Sequence, residues 1–318
     1  MISPPLTRRQ WLEAALLGVA ASAPAESVPA ELLHPVKTKV PITGIGQDQV
    51  LERHDPSNVI RHQGKYYLWY TEHRPGVAFI DTYIQWATSP DGYHWQVHGT
   101  ALAKGKPGDW DEKGALTSYV VPWEGRFYLF YTGVGANFVN ANKSKRGIGY
   151  AVADSPDGPW KKQEGMPLLW PGENTWDDLC CDDANLIYRQ GKWWLYYKGR
   201  TLGDQPRQSQ VGVAVADRIT GPYRKHPQNP LFPGHAFSAW VHRDGVAAIG
   251  GEAGGHFVRW SRDGIHFVKA GPFDNKSTGF YCPENFATGV NNRGVSWGFD
   301  VARTKPRYIY RFDCTMTI

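Results

Sequence analysis

A chain of 318 residues is long enough for one large domain with a sizeable core. Its formal charge of +5 is spread without a run of Lys or Arg, which argues against a nucleic-acid track, and no apolar stretch is long enough to cross a membrane. Aromatic residues make up 14 % and are accompanied by 35 Gly and 23 Pro, a combination that favours strands and turns over helices and also suits sugar faces.

The N-terminus reads as a targeting segment. Thr7-Arg8-Arg9-Gln10-Trp11-Leu12 looks like a twin-arginine export signal, and Ala14 to Ala23 is a short apolar region before small-residue cleavage sites. We therefore expect a signal over 1–25, an extension over 26–48 and one domain over 49–318. The protein is expected to be periplasmic or secreted. The four cysteines, Cys180, Cys181, Cys282 and Cys314, match no metal spacing and no disulfide scaffold, so buried free thiols are expected, with a Cys181–Cys282 bridge as the alternative.

The rest of the chain repeats one unit: an apolar strand, a turn with Gly, and an aromatic strand. It appears at Val59 to Thr71, Tyr119 to Thr132, Ala184 to Lys198, Ser238 to Ala248 and, most weakly, Phe286 to Gly298. A second strand pair follows each of the first four copies, with hairpin turns such as Ser89-Pro90-Asp91-Gly92 and Ser261-Arg262-Asp263-Gly264. Arg307 to Asp313 is all that is left to complete the fifth. Four strands per unit at roughly fifty to sixty-five residues predicts an all-β fold, a five-bladed β-propeller with four-stranded blades around a central channel.

In such a fold the residues just before each first strand line one mouth of the channel. Those positions hold Asp55, Thr117 and Ser118, Asp183, His235 and Glu284. Asp55 precedes Pro56, which is expected to push it toward extended geometry at a strand start. Ionisable groups from four units thus converge on one small space. Each also has a structural reading, as a turn cap, a strand-end cap or a solvated loop residue.

The motif Arg53-His54-Asp55-Pro56-Ser57, the strand Gly64 to Thr71, the run Ala151 to Trp160, Asp183 with Lys192 to Gly199, and Gly234-His235 together resemble the five-bladed propeller glycosidases around glycoside hydrolase families 43 and 32. They are most similar to glycoside hydrolase family 117, the 3,6-anhydro-L-galactosidases of agar breakdown. The resemblance covers about residues 50 to 285. It implies an inverting, exo-acting hydrolase, with Asp55 as catalytic base, Asp183 as the second acid and His235 as general acid. The family pattern places Glu directly after this His, and here Ala236 stands there, so Glu284 or Glu252 could supply a replacement carboxylate. The family's N-terminal helical arm, which helps form its dimer, is not expected here, because only about 25 residues separate the signal from the first unit.

Hydrolysis would need an acid on the leaving oxygen and a base on the opposite face of the sugar. Trp69, Trp86, Trp176 and Trp240 are candidates for sugar stacking, with packing as the alternative role. Arg53, His73, Ser118 and Arg200 are candidates for substrate contact. No metal ligand set is evident and no cofactor is required, although acidic groups around a channel could hold a divalent cation. The expected partner is an oligosaccharide, with no nucleic acid and no membrane span; the oligomeric state is open, a homodimer included. Alternatives are a propeller glycosidase of other specificity, such as an arabinofuranosidase, xylosidase or fructosidase, and a non-catalytic carbohydrate-binding propeller.

Overall fold

The structure, a computed structural model, describes residues 27–46, 50–76, 80–136, 139–140, 143–165, 167–252, 254–273, 277–287, 293–302 and 304–318. The expected export segment, and 288–292 in the fifth repeat, lie outside them. The described residues form strands and turns with three short 3-10 helices and no α-helix. No helix among them is long and apolar enough to cross a membrane.

Each early repeat folds as its sequence predicts. The aromatic strand Lys65–His73 pairs with Ile60–His62 across the Gln63-Gly64 turn, and with Glu52–His54 at its other end. Tyr83–Ser89 and Gln96–Leu102 follow outward. The hairpins Gly114–Trp123 with Arg126–Val134, and Cys180–Arg189 with Lys192–Arg200, repeat this arrangement. Gln63-Gly64, Glu124-Gly125 and Gln190-Gly191 all take positive φ at both turn centres, which matches the twist of the flanking strands. In the outer turns a carboxylate replaces the missing ladder: Asp91 accepts from the amides of Tyr93 and His94, and Asp263 from those of Ile265 and His266.

Among the described residues strand pairing forms four sheets. The largest has nine strands and consists of the second and third repeats, joined through a single parallel pairing of Cys180 with Arg146. The last sheet takes its outer strand from the beginning of the chain: Lys37–Val40 pairs with Tyr308–Thr317. Residues assigned from the sequence to an extension ahead of the domain are therefore part of its sheet structure. Lys37 forms a buried ion pair with Asp300 and lies 4.5 Å from the Phe312 ring centroid.

The core lies between neighbouring repeats, because each aromatic strand is buried on both faces. Alternate side chains of a strand point to opposite sides. Thus Tyr67 and Trp69 pack toward the second repeat with Val120, Leu129 and Tyr131, while Leu68 and Tyr70 pack toward the last sheet with Trp297, Phe299 and Ile309. In the same way Trp193, Leu195 and Tyr197 join the second-repeat cluster, and Trp194 and Tyr196 join Phe237 and Ala248. The fourth repeat packs on the last sheet through Trp240, Phe280 and Phe312. Contacts therefore run from each repeat to the next, and from the last sheet back to the first.

Buried asparagines tie the inner strands of neighbours together. Asn58 accepts from the Val120 amide and donates to the Val120 carbonyl, both at 2.8 Å. Asn185 accepts from Ala239, and Asn285 from Val241. All four cysteines are free and buried.

Trp69 and Trp240 are fully buried in these clusters. Their assignment as sugar-stacking residues is corrected: the strand alternation sends both side chains into the core between repeats. Trp240→Ala should destabilise the fold by about 3–5 kcal/mol. Chemical denaturation would measure the loss, and the folded fraction should keep its ligand affinity.

Candidate active site

Asp55, Thr117, Asp183 and Ala236 all have left-handed backbone, with φ of 48°, 48°, 55° and 53°, so Asp55 is not extended as expected from Pro56. Such a conformation costs a non-glycine residue about 1–3 kcal/mol and persists only where the surroundings impose it. The cause is a break in pairing at the start of each inner strand. The register slips between Leu116 and Tyr119, and again between Asp182 and Asn185. A bulge of this kind re-aims the side chains beside it.

Each irregularity presents two residues in the same way: His54-Asp55, Leu116-Thr117, Asp182-Asp183 and His235-Ala236. All eight line one cavity of about 160 Å³, together with His73, Thr82, Lys198 and Arg307. The pairing partners opposite the first member are Thr71, Thr132 and Lys198 in the first three repeats. The third repeat thus replaces a threonine with a lysine at the cavity wall.

That lysine organises the third wall. Lys198 Nζ lies 2.6 Å from Asp183 Oδ2 and 3.2 Å from Asp182 Oδ2. Burial works against its charge, but the two carboxylates outweigh burial and hold Lys198 protonated. Asp182 also lies 3.5 Å from Arg146 and accepts from the Thr132 hydroxyl at 2.7 Å and the Asp183 amide at 3.0 Å. These partners overcome burial and keep the Asp182 carboxyl well below the ordinary range. Asp183 moves the other way: burial dominates, Asp182 and Asp55 add repulsion, and the Lys198 contact does not offset them, so its carboxyl is raised. One carboxylate is locked ionised and its neighbour is easily protonated.

Asp55 sits opposite with 31 % of its side chain exposed. Burial pushes its pKa up, but His54 outweighs it, with Arg307 and Lys198 adding, and the carboxyl is held at about 2. His54 Nδ1 lies 2.6 Å from Asp55 Oδ2. On the fourth wall, the Ser209 hydroxyl donates to the Pro206 carbonyl at 2.7 Å, so its oxygen accepts from His235 Nδ1 at 3.3 Å. That contact orients the imidazole at the cavity wall.

The three residues expected to converge, Asp55, Asp183 and His235, do share the cavity, and His73 joins them. Ser118 lines a smaller cavity of about 20 Å³ next to Asp55 and Asp183. Other candidates lie elsewhere. Glu284 is outside the cavity walls, on a 3-10 turn where it accepts from the Cys282 thiol at 3.8 Å. Glu252 is ion-paired with Arg259 and Lys269, and lines an adjoining cavity of about 320 Å³ that shares His235 with the first. Burial acts to raise its pKa but Lys269 and Arg259 outweigh it, so Glu252 is held ionised and unsuited to donate a proton.

Arg53 is turned away to Glu72 and the Gly46 carbonyl. Arg200 is buried outside the cavity. Trp86 stacks on His98 at 4.3 Å, and Trp176 packs over Gly199 and Gly212, where a Cβ would meet its ring at 2.3 Å and 2.6 Å. Both tryptophans therefore serve packing, outside the cavity. His54, Thr117, Asp182, Lys198 and Arg307 complete the walls. Of these, Thr117 was placed at the mouth by sequence, and adjacency to Asp55 and Asp183 was the available signal for His54 and Asp182. Among the described residues no group of three or more His, Cys, Asp or Glu is arranged to hold a metal.

Residues 50–199 match the family model for glycosyl hydrolases family 43. A probable sucrose-6-phosphate hydrolase of Vibrio cholerae is 30 % identical over 154 residues, 48 % of this chain and 27 % of that protein. A raffinose invertase of Escherichia coli is 30 % identical over 153 residues, 47 % of this chain and 30 % of that protein. The chain thus spans less than a third of the length of these curated relatives. The match to a family 117 glycoside hydrolase from the marine bacterium Zobellia galactanivorans is broader, with 27 % identity, a TM-score of 0.80, and coverage of 90 % of this chain and 92 % of that one. Fructan 1-exohydrolase IIa of Cichorium intybus shares the fold, with a TM-score of 0.60 at 16 % identity over 86 % of this chain and 58 % of that one. These matches support a glycosidase: the chain is similar to the family 43 model over residues 50–199 and to a family 117 structure over nine-tenths of its length.

Proposed function

We propose that this protein is an exo-acting, inverting glycoside hydrolase that removes a terminal sugar from a plant or algal polysaccharide fragment. The observation that carries this reading is the meeting of Asp55, Asp183 and His235 in one cavity whose volume suits a single sugar residue. In this reading the fold is a five-bladed propeller. The nine-stranded sheet, divided at its one parallel pairing, supplies two blades, and the other three sheets supply one each.

Asp55, ionised down to about pH 2, activates a water at the anomeric carbon. His235, in its imidazolium form and oriented through Nδ1, gives a proton to the leaving oxygen and is left neutral. Asp183, held by Lys198, accepts or donates hydrogen bonds to the sugar according to its own protonation. The likeness to a family 117 structure over nine-tenths of both chains favours an α-1,3-linked 3,6-anhydro-L-galactoside as substrate. A second reading has its own support: the matching curated relatives carry sucrose-6-phosphate hydrolase and raffinose invertase names, which favours a β-fructoside. The twin-arginine-like segment supports periplasmic or secreted placement, testable by fusing residues 1–25 to a reporter that only that route exports.

The first test is hydrolysis of neoagaro-oligosaccharides, sucrose, raffinose and aryl arabinosides and xylosides by protein lacking residues 1–25. Release of 3,6-anhydro-L-galactose supports the family 117-like substrate, and release of fructose favours the second reading. Asp55→Asn should lower turnover on the active substrate by at least about 100-fold with an unchanged circular dichroism spectrum. Near wild-type turnover would remove Asp55 from the base role.

A stability measurement tests the strained third wall. An aspartate whose folded pKa lies above its unfolded value of about 3.9 stabilises less as pH rises between the two. Asp183→Asn removes that penalty and keeps a residue that tolerates left-handed backbone. Its melting temperature should exceed that of the wild type, and by more at pH 8 than at pH 4. An equal or opposite difference would show that Asp183 is not raised.

A further inference from the structure

We propose that His54 is the positioning residue of the Asp55 carboxylate, holding one oxygen so that the other is presented to the cavity, an inference that rests on reading Asp55 as the base. A carboxylate oxygen is an acceptor, so the 2.6 Å contact places a hydrogen on His54 Nδ1. His54 Nε2 is buried with no hydrogen-bond partner among the described residues. The ring is therefore oriented by its Nδ1–H contact. The side chain is only 10 % exposed, which leaves the ring little room to turn away.

The ring is held from behind. It meets His73 edge to face, with centroids 4.9 Å apart. His73 Nδ1 donates to the Arg74 carbonyl at 2.7 Å, so its Nε2 accepts from Arg307 at 3.2 Å. Arg307 is itself anchored on Glu52 at 2.7 Å. Two cations, Arg307 and Lys198, and the Asp183 carboxyl also act on Asp55, whereas among the described residues it is the His54 side chain that hydrogen-bonds to it.

The repeats show that this imidazole is a choice of the first unit. The same strand position carries Leu116 in the second, with Thr132 opposite it as Thr71 is opposite His54. The fold therefore accepts an apolar side chain at that place. In this arrangement Asp55 Oδ2 is occupied by the imidazole, and Oδ1 is the oxygen left to take a proton from water.

The test compares His54→Leu, which copies the second repeat, with His54→Asn, whose amide N–H can replace the Nδ1 donor. The direct readout is the titration of the Asp55 carboxyl carbon by NMR, assigned by its loss in Asp55→Asn and recorded without substrate. The wild-type midpoint is expected at about 2. His54→Leu should move it up by at least about one unit toward the free value, and His54→Asn should hold it near the wild type. On the active glycoside, His54→Leu should lower kcat by about tenfold or more with KM little changed, and His54→Asn should restore most of the loss. If His54→Leu does not fold, His54→Gln takes its place, because its amide reaches past the Nδ1 position. A midpoint unmoved by loss of the donor overturns the proposal, as does failure of His54→Asn to recover. A shifted midpoint with no hydrolysis of any glycoside supports the coupling and instead overturns the assignment of Asp55 as a base.

Discussion

Burial of each aromatic strand on both of its faces is the constraint on which the structure depends. Tyr67 and Trp69 face one neighbour, Leu68 and Tyr70 the other, and the same division recurs at Trp193 to Tyr197. A strand gripped from two sides cannot shift register by one residue, because the shift would exchange every contact. That rigidity allows the start of each inner strand to be strained. Four non-glycine residues in left-handed backbone around one cavity would relax if the strands behind them were loose.

The strain places charge where water is scarce. Asp182, Asp183, Lys198 and Arg146 form one buried group in which the two carboxylates titrate in opposite directions. Buried ion pairs of this kind are weak contributors to stability, since desolvation consumes most of their attraction. Their value lies in holding two adjacent acids in different states. Asp55, across the cavity, is kept ionised by His54, Arg307 and Lys198. A site that keeps one carboxyl charged and another ready to protonate has the asymmetry that acid–base chemistry on a sugar needs.

Much of this was legible from residue pattern. The Gly turns between apolar and aromatic runs gave the repeat, and the position before each first strand gave Asp55, Thr117, Asp183 and His235. Lys198 was not legible, because its place in Tyr196-Tyr197-Lys198-Gly199 reads like a polar residue at a strand end. Its role appears only when the bulge at Asp183 and Ala184 brings Asp182 opposite it. The tryptophans failed for a related reason. An aromatic strand buried on both faces and one with a face toward a sugar have the same composition, and only the neighbouring repeat decides between them. Glu252 and Glu284 were chosen for charge alone, and the ion pairs that occupy Glu252 were invisible without the fold.

Ala236 has the sharpest consequence for the chemistry. By backbone conformation it is the fourth member of the series that contains Asp55 and Asp183, and it is the one member with no polar side chain. In the proposed reading a proton donor on that wall comes from the residue before it, as His54 precedes Asp55 and Asp182 precedes Asp183. His235 is that residue, and it also lines the adjoining 320 Å³ cavity beside Glu252 and His256. An imidazole shared by two cavities stands where a bond between a sugar in one and its leaving group in the other would lie. The small cavity holds the opposing carboxyls and the larger one has none free to act as an acid. In the proposed reading the departing group would lie on the Glu252 side of His235.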